Sequence, residues 1–141
     1  MIGPIRRSDE AQALVEFALI IPVFLLLVLG FVDTSRAVFQ YITLADAARE
    51  GTRYAIVHGG ASSSPSGPAA NDAGVQAQVL RYTIGVPSVT VASTWPDGTN
   101  GRGSHVSVIV TAPFVPIASQ LLLSGALAVT VRGGSEQVIE R

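Results

Sequence analysis

The first third of the chain is dominated by one long apolar segment. Phe17 to Val32 contains no charged residue, and with the mostly apolar lead-in from Ala11 the segment has 22 residues. As a helix it would be about 33 Å long, which suffices to cross a hydrocarbon core of about 30 Å. A cleaved secretory signal would have a shorter apolar core and a small-residue cleavage site. A buried helix that is apolar on every face would need a larger core than this chain supplies. The pattern therefore predicts a membrane-spanning helix over about residues 12–32.

Beyond Asp33 the pattern predicts that the same helix continues to Val57. No proline occurs between residues 34 and 57, and apolar residues return at helical spacing. We predict one helix over about residues 10–57, about 70 Å long, in which Pro22 removes a backbone donor and favours a bend. Small residues near Ala47 would let another element approach closely, with this protein's own strands favoured over another subunit. The apolar face is predicted to contain Val38, Tyr41, Ile42, Ala45, Ala48, Ala55 and Ile56, with Gln40, Asp46, Arg49, Glu50 and Arg53 largely elsewhere.

The remaining chain alternates short apolar patterns with turn residues, which predicts an α+β domain. Residues 59–70 are rich in Gly, Ser and Pro and are predicted to form a loop. The predicted elements that follow are a helix capped by Asn71 or Asp72 and ending near Thr83, a hairpin of strands 88–95 and 104–111, a short helix over 117–123, a third strand over 126–132, and a last strand or tail over 135–141. The predicted organisation is a short N-terminal segment with two arginines (1–11), a long helix (12–57) and a small extracytoplasmic domain (58–141), whose antiparallel sheet packs on the C-terminal half of the helix.

Composition narrows the possible functions. Charged residues make up 13% of the chain, against about 25% in ordinary soluble domains. The net charge of -1 provides no basic field for nucleic acid, so no nucleic-acid partner is expected. The absence of cysteine excludes disulfide scaffolds and thiolate zinc sites. We identify no catalytic residue, metal site or cofactor site and expect no enzyme. Asp97, Thr99 and Asn100 fit a hairpin turn better than a calcium loop.

One acidic residue interrupts the apolar segment. Glu16 has apolar neighbours on both sides, and an acidic side chain at the bilayer centre costs about 2.5–3.5 kcal/mol on insertion scales. Two interpretations are open: an interfacial carboxylate that reaches the headgroups, or a carboxylate with a cationic partner inside an assembly. Arg6 and Arg7 precede the segment and favour a cytoplasmic N-terminus.

Residues 11–17 (AQALVEF) resemble the processing site of type IV prepilins. That resemblance implies a cut between Ala11 and Gln12 by a prepilin peptidase, after a leader in which Arg6 and Arg7 supply the positive charge. Glu16 would then be the fifth residue and would pair with a new N-terminal amine. Ala11 stands where glycine is usual in the family.

A narrower resemblance covers residues 12–55. The run QALVEFAL, followed by Pro22, Asp33, Arg36 and the stretch ADAAREGTRYA, is similar to the TadE-like family. This resemblance implies a pseudopilin or minor pilin of tight-adherence pili, held in the cytoplasmic membrane or in the pilus, with other pilin subunits as partners. The alternative hypothesis is an uncleaved membrane-tethered binding module that does not polymerise.

Overall fold

From Arg6 to Val57 the chain is one continuous helix. The computed structural model describes the backbone of residues 6–140 and the side chains of residues 9–140. Helix α1 extends from Arg6 to Val57 and has 52 residues, which corresponds to about 78 Å. Pro22 lies inside α1 without ending it. The predicted long helix is confirmed, and it begins earlier than residue 10.

The rest of the chain forms a small sheet and two short helices. The elements after α1 are helix α2 (Ala73–Arg81), strands β1 (Thr90–Thr94) and β2 (His105–Phe114), helix α3 (Ile117–Leu123) and strand β3 (Val129–Val138). The sheet is antiparallel with the order β1-β2-β3. Thr90 pairs with Thr111, and Phe114 pairs with Val129. The predicted α+β class, the hairpin and both short helices are confirmed.

The C-terminal strand differs from the prediction. A third strand over 126–132 and a separate last segment from 135 were predicted, but β3 is a single strand of ten residues. Gly133 and Gly134, which lie between the two predicted segments, pair with Val110 and Ile109 of β2. A Cβ atom at Gly133 would overlap the backbone of α1 at Leu44 and Ala45. Glycine therefore stands here because strand and helix cross in close contact.

The core lies between the sheet, α2 and the C-terminal half of α1. Alternate residues of β2 point into it, from Val106 to Phe114, as expected for a sheet with one covered face. A Cβ at Gly51 would lie 2.5 Å from Val79 Cγ2 and 3.2 Å from Val108 Cγ1, so α2 and β2 both approach the helix closely there. The small residues of α1 therefore pack against the protein's own elements, as predicted. The fully buried core side chains are Leu44, Ala47, Ala48, Ala55, Val75, Val79, Val106, Val108 and Val110.

Asp72 caps α2, one of the two residues predicted for that role. Its carboxylate accepts the backbone N–H of Val75 at 3.0 Å and that of Gly67 at 3.1 Å. Burial opposes ionisation, but these donors more than offset it, and the pKa of Asp72 lies below its ordinary value. The cap therefore ties the loop before α2 to the first turn of that helix.

The buried face of α1 also differs from the prediction. Val38, Tyr41 and Ile42 were assigned to the packed face, but each is more than half exposed. Gln40, which was placed elsewhere, is buried and its amide donates to the carbonyls of Ala112 at 3.4 Å and Pro113 at 3.2 Å. A glutamine amide can donate to carbonyls at the end of β2, which a valine side chain cannot do. The helix is therefore rotated to bring Gln40 to the sheet.

Candidate functional site

Within the described residues, the apolar half of α1 is exposed along its length and is not buried against the rest of the protein. The stretch from Asp9 to Val57 is long and apolar enough to cross a membrane, and none of its most apolar window is buried. Phe17, Phe24 and Phe31 are each more than 60% exposed. A surface of this size and polarity is unsuited to water, and it is satisfied in lipid, where the helix already pairs its own backbone groups. We therefore treat this segment as a membrane anchor.

Glu16 lies on the exposed surface of the anchor, one turn from Gln12. The Gln12 amide nitrogen donates to Glu16 Oε1 at 3.0 Å. The i, i+4 spacing places both side chains on one face of the helix. The structure thus brings together two of the residues singled out in the sequence. Ala11 precedes Gln12 in the same helix and is also exposed, whereas the side chains of Arg6 and Arg7 lie outside the described residues.

A stripe of apolar side chains continues past the end of the span. Phe31, Val38 and Ile42 follow at intervals of seven and four residues, which places them on one face of α1. Tyr41 lies beside them, and all four side chains are 51–70% exposed. We call these four residues the helix stripe. The sheet covers a different side of α1, so the helix stripe is free to meet another molecule.

Asp33 marks the point where the apolar span ends and the folded domain begins. Its carboxylate accepts the backbone N–H of Ile117 at 2.9 Å and that of Ala118 at 3.2 Å. The Arg36 guanidinium donates to the same carboxylate at 2.9 Å and also lies 5.4 Å from the centroid of the Phe114 ring. The first N–H groups of a helix lack internal partners, so Asp33 fastens the start of α3 to α1.

The electrostatics of Asp33 follow from these contacts. The hydrogen bond from the Ile117 N–H, opposed by burial and reinforced by Ala118 and Arg36, holds the pKa of Asp33 below its ordinary value of 3.8. The carboxylate is therefore ionised at neutral pH. In that form it accepts all of these donors at once.

Sequence reasoning missed this role of Asp33. The residue was noted as the end of the apolar run, and Arg36 as part of the family pattern. Its partners lie 84 and 85 residues away, so no local capping pattern could reveal them. One signal in the sequence could have suggested it. The predicted short helix after Pro116 has no Ser, Thr, Asp or Asn at its N-cap position, so its first N–H groups need an acceptor from elsewhere in the chain. The cap at Pro116 makes no side-chain hydrogen bond.

The polar groups of the hairpin hold the turn together. Asp97 accepts the backbone N–H of His105 at 2.7 Å and lies 2.9 Å from its ring Nδ1. The backbone N–H and then the ring of His105 hold the pKa of Asp97 below its ordinary value. Thr99 and Ser104 share a hydroxyl hydrogen bond, and the Asn100 amide donates to the carbonyls of Ser66 and Gly67. The interpretation of this loop as a hairpin turn is confirmed.

The charged residues of the upper helix form exposed pairs. Arg49 lies 2.7 Å from Asp46, and Arg53 lies 3.8 Å from Glu50, as the spacing predicted for the second pair. Both arginine side chains are at least two-thirds exposed. Pairs of this kind contribute little to stability, and their solvent-facing positions fit a helix edge in water.

Comparison with known proteins gives a family match for the N-terminal part of the chain. The family model described as TadE-like protein matches residues 11–53. The match includes the anchor, Glu16 and Asp33, and it ends in the half of α1 that the sheet covers. No curated protein and no solved structure matches the chain. The region from Ala11 to Arg53 is TadE-like, which confirms the resemblance noted in the sequence and suggests involvement with Tad pilus-related proteins.

Proposed function

We propose that this protein is a membrane-anchored pseudopilin or minor pilin that takes part in assembling a tight-adherence pilus. The observation that carries the proposal is the helix stripe. A simple tether needs apolar side chains only within the bilayer, but here Val38, Tyr41 and Ile42 stay exposed beyond Asp33. Exposed apolar patches beyond the membrane favour a protein partner, and the exposed face of α1 offers a surface on which neighbouring helices can pack.

Glu16 provides the second support. A carboxylate near lipid is costly unless something positive neutralises it, and opposite charges attract more strongly where the dielectric constant is low. A cut between Ala11 and Gln12 would create an α-amine one turn from Glu16, on the residue whose side chain already donates to it. The amine of the same chain or of a neighbouring subunit would then serve as the partner. Without that partner, Glu16 would disfavour the unassembled subunit.

The proposed topology follows from the same elements. A prepilin peptidase would remove the leader, including Arg6 and Arg7, which favour a cytoplasmic N-terminus. The helix would then cross the cytoplasmic membrane once, with residues 58–141 outside. The subunit would remain there until it joins a pilus initiation complex or tip with other pilin subunits. The role is structural, in keeping with a family whose members are pilus components.

The intact mass of the protein from its native membrane tests the processing step. We expect loss of residues 1–11. A retained Met1 favours the second candidate function, an uncleaved tether that presents the outer domain as a binding module. The helix stripe makes that candidate the less favoured one, because a tether leaves the exposed side chains Val38 and Ile42 without a role.

Charge removal at Glu16 tests assembly. Glu16→Gln keeps the shape of the side chain and its contact with Gln12, but it removes the negative charge. We expect pilus formation to be lost while the amount of protein in the membrane is unchanged or slightly higher. Glu10→Gln is the matched control, since it makes the same change within the proposed leader. Normal pili with Glu16→Gln would contradict the proposed charge pairing.

A further inference from the structure

One segment of the outer domain exposes a concentrated group of leucines. We define the leucine segment as residues 117–127, which comprise α3 and the turn after it. Leu121 and Leu122 are 69% and 66% exposed, and Leu123 and Leu127 are also more than half exposed. The sequence has no charged residue between Phe114 and Arg132. The shallow hollow at Pro116, Leu122 and Leu127 has no exposed polar lining.

Successive contacts with α1 place this segment at the end of the membrane span. Gly133 crosses the helix at Leu44. Further down, Gln40 reaches the carbonyls of Ala112 and Pro113. These contacts descend α1 as β2 approaches its end, so the chain leaves the sheet in the direction of the anchor.

The descent ends at the boundary of the apolar span. Arg36 lies over Phe114, and Asp33 holds the N–H groups of Ile117 and Ala118. Asp33 directly follows the uncharged run that ends at Val32. Helix α3 has seven residues, or about 10 Å of length, so its leucines remain within about that distance of the level of Asp33. This is comparable to the depth of the headgroup layer.

We propose that the leucine segment docks into the interfacial layer of the same bilayer that α1 spans. The proposal rests on the membrane anchoring in the proposed function, but not on the pilus role. The occupant is lipid because the exposed leucines carry no charge and belong to a helix whose first residues are held at Asp33, where the apolar span ends. Apolar side chains of interfacial segments insert about 5–10 Å at the boundary between headgroups and acyl chains. Asp33 and the leucine segment would then fix the outer domain against the membrane surface.

The absence of cysteine allows a direct test with single nitroxide labels. The full chain carrying Leu122→Cys is labelled and reconstituted into phosphatidylcholine–phosphatidylglycerol vesicles at large lipid excess. Collision rates with oxygen, which partitions into lipid, and with a water-soluble nickel chelate report the surroundings of the label. Leu26→Cys in the span and Val57→Cys at the far end of α1 provide the lipid and water references. Leu121→Cys is a second reporter, and both leucine positions are exposed enough to be substituted without disturbing the core.

The outcomes separate this inference from the anchoring on which it rests. We expect Leu26 and Leu122 labels to collide mainly with oxygen and the Val57 label mainly with nickel, at all lipid dilutions. If the Leu26 label collides mainly with oxygen but the Leu121 and Leu122 labels collide mainly with nickel, the docking alone is overturned. If the Leu26 label also collides mainly with nickel, the membrane anchoring is overturned as well. If the Leu122 label is protected from nickel only at low lipid excess, and this protection disappears on lipid dilution, the label contacts a second copy of the protein. That result also overturns the docking.

Discussion

The carboxylate of Asp33 accepts the backbone N–H of Ile117 at 2.9 Å, across a separation of 84 residues. This hydrogen bond joins the residue that ends the apolar span to the first residue of α3. The outer domain is thereby attached to α1 at the membrane boundary as well as through its core.

Replacing Asp33 should release the start of α3. In Asp33→Ala the N–H groups of Ile117 and Ala118 lose their acceptor, and a first-turn N–H has no other partner within the helix. We expect their hydrogen exchange to approach the rate of an unstructured peptide, while the amides of β2 keep their protection. Asp46→Ala is the control, because it removes an exposed pair with Arg49 at 2.7 Å. Unchanged exchange at Ile117 would show that the hydrogen bond does not hold α3.

The same contact should be sensitive to strong acid. The pKa of Asp33 is lowered from 3.8 by the Ile117 N–H, despite opposition from burial, with further lowering by Ala118 and Arg36. A lowered native pKa means that the contact stabilises the protein above about pH 3.8, and that this contribution is lost as the pH falls through the native pKa. The amide NMR signal of Ile117 should therefore titrate with a midpoint below 3.8. The signal in Asp33→Asn should show no such step, and a wild-type midpoint above 3.8 would refute the assignment.

Two adjacent glycines in β3 should respond differently to the same substitution. A Cβ at Gly133 would overlap the backbone of Leu44 and Ala45, whereas at Gly134 the nearest atom is the Val108 carbonyl oxygen at 4.0 Å. Backbone cannot move aside as a flexible side chain can. Gly133→Ala should therefore lower the free energy of unfolding of the outer domain by about 1–3 kcal/mol, the usual cost of overpacking. Gly134→Ala should be nearly neutral in urea unfolding, and equal losses at both positions would contradict the close crossing.

The helix stripe should matter for assembly but not for folding. Val38→Asp places a charge on a side chain that is 51% exposed, so the circular dichroism spectrum and the membrane level should be unchanged. We expect the variant to be lost from sheared pili, because the charge would be desolvated against a neighbouring helix. Val138→Asp is the matched control, since Val138 is 47% exposed but lies on β3. Normal incorporation of Val38→Asp would remove the main support for the pilin proposal.

Strands and turns could be predicted where the residues that determine them lie close together in the sequence. The alternation in β2 and the capping residue Asp72 both act within a few residues, and both were found. The prediction of two segments in place of β3 was wrong. A glycine pair such as Gly133 and Gly134 normally weakens a strand. Ten residues of pairing with β2, together with the close approach of α1 at Gly133, outweigh that tendency.

The sequence by itself determined the apolar anchor segment and the continuation of α1 beyond Asp33, because apolar length and helical spacing are properties of neighbouring residues. Its resemblance to the TadE-like family over residues 12–55 rested on local motifs in the same way. The tertiary structure alone decided which side of α1 is covered. Gln40 turns inward to satisfy carbonyls 72 and 73 residues away, and that rotation leaves Val38 and Ile42 exposed. Asp33 acquires its role in the same way, because its partners reach it only after the sheet has packed on the helix. Such choices depend on hydrogen bonds between distant segments, which no local pattern of residues encodes.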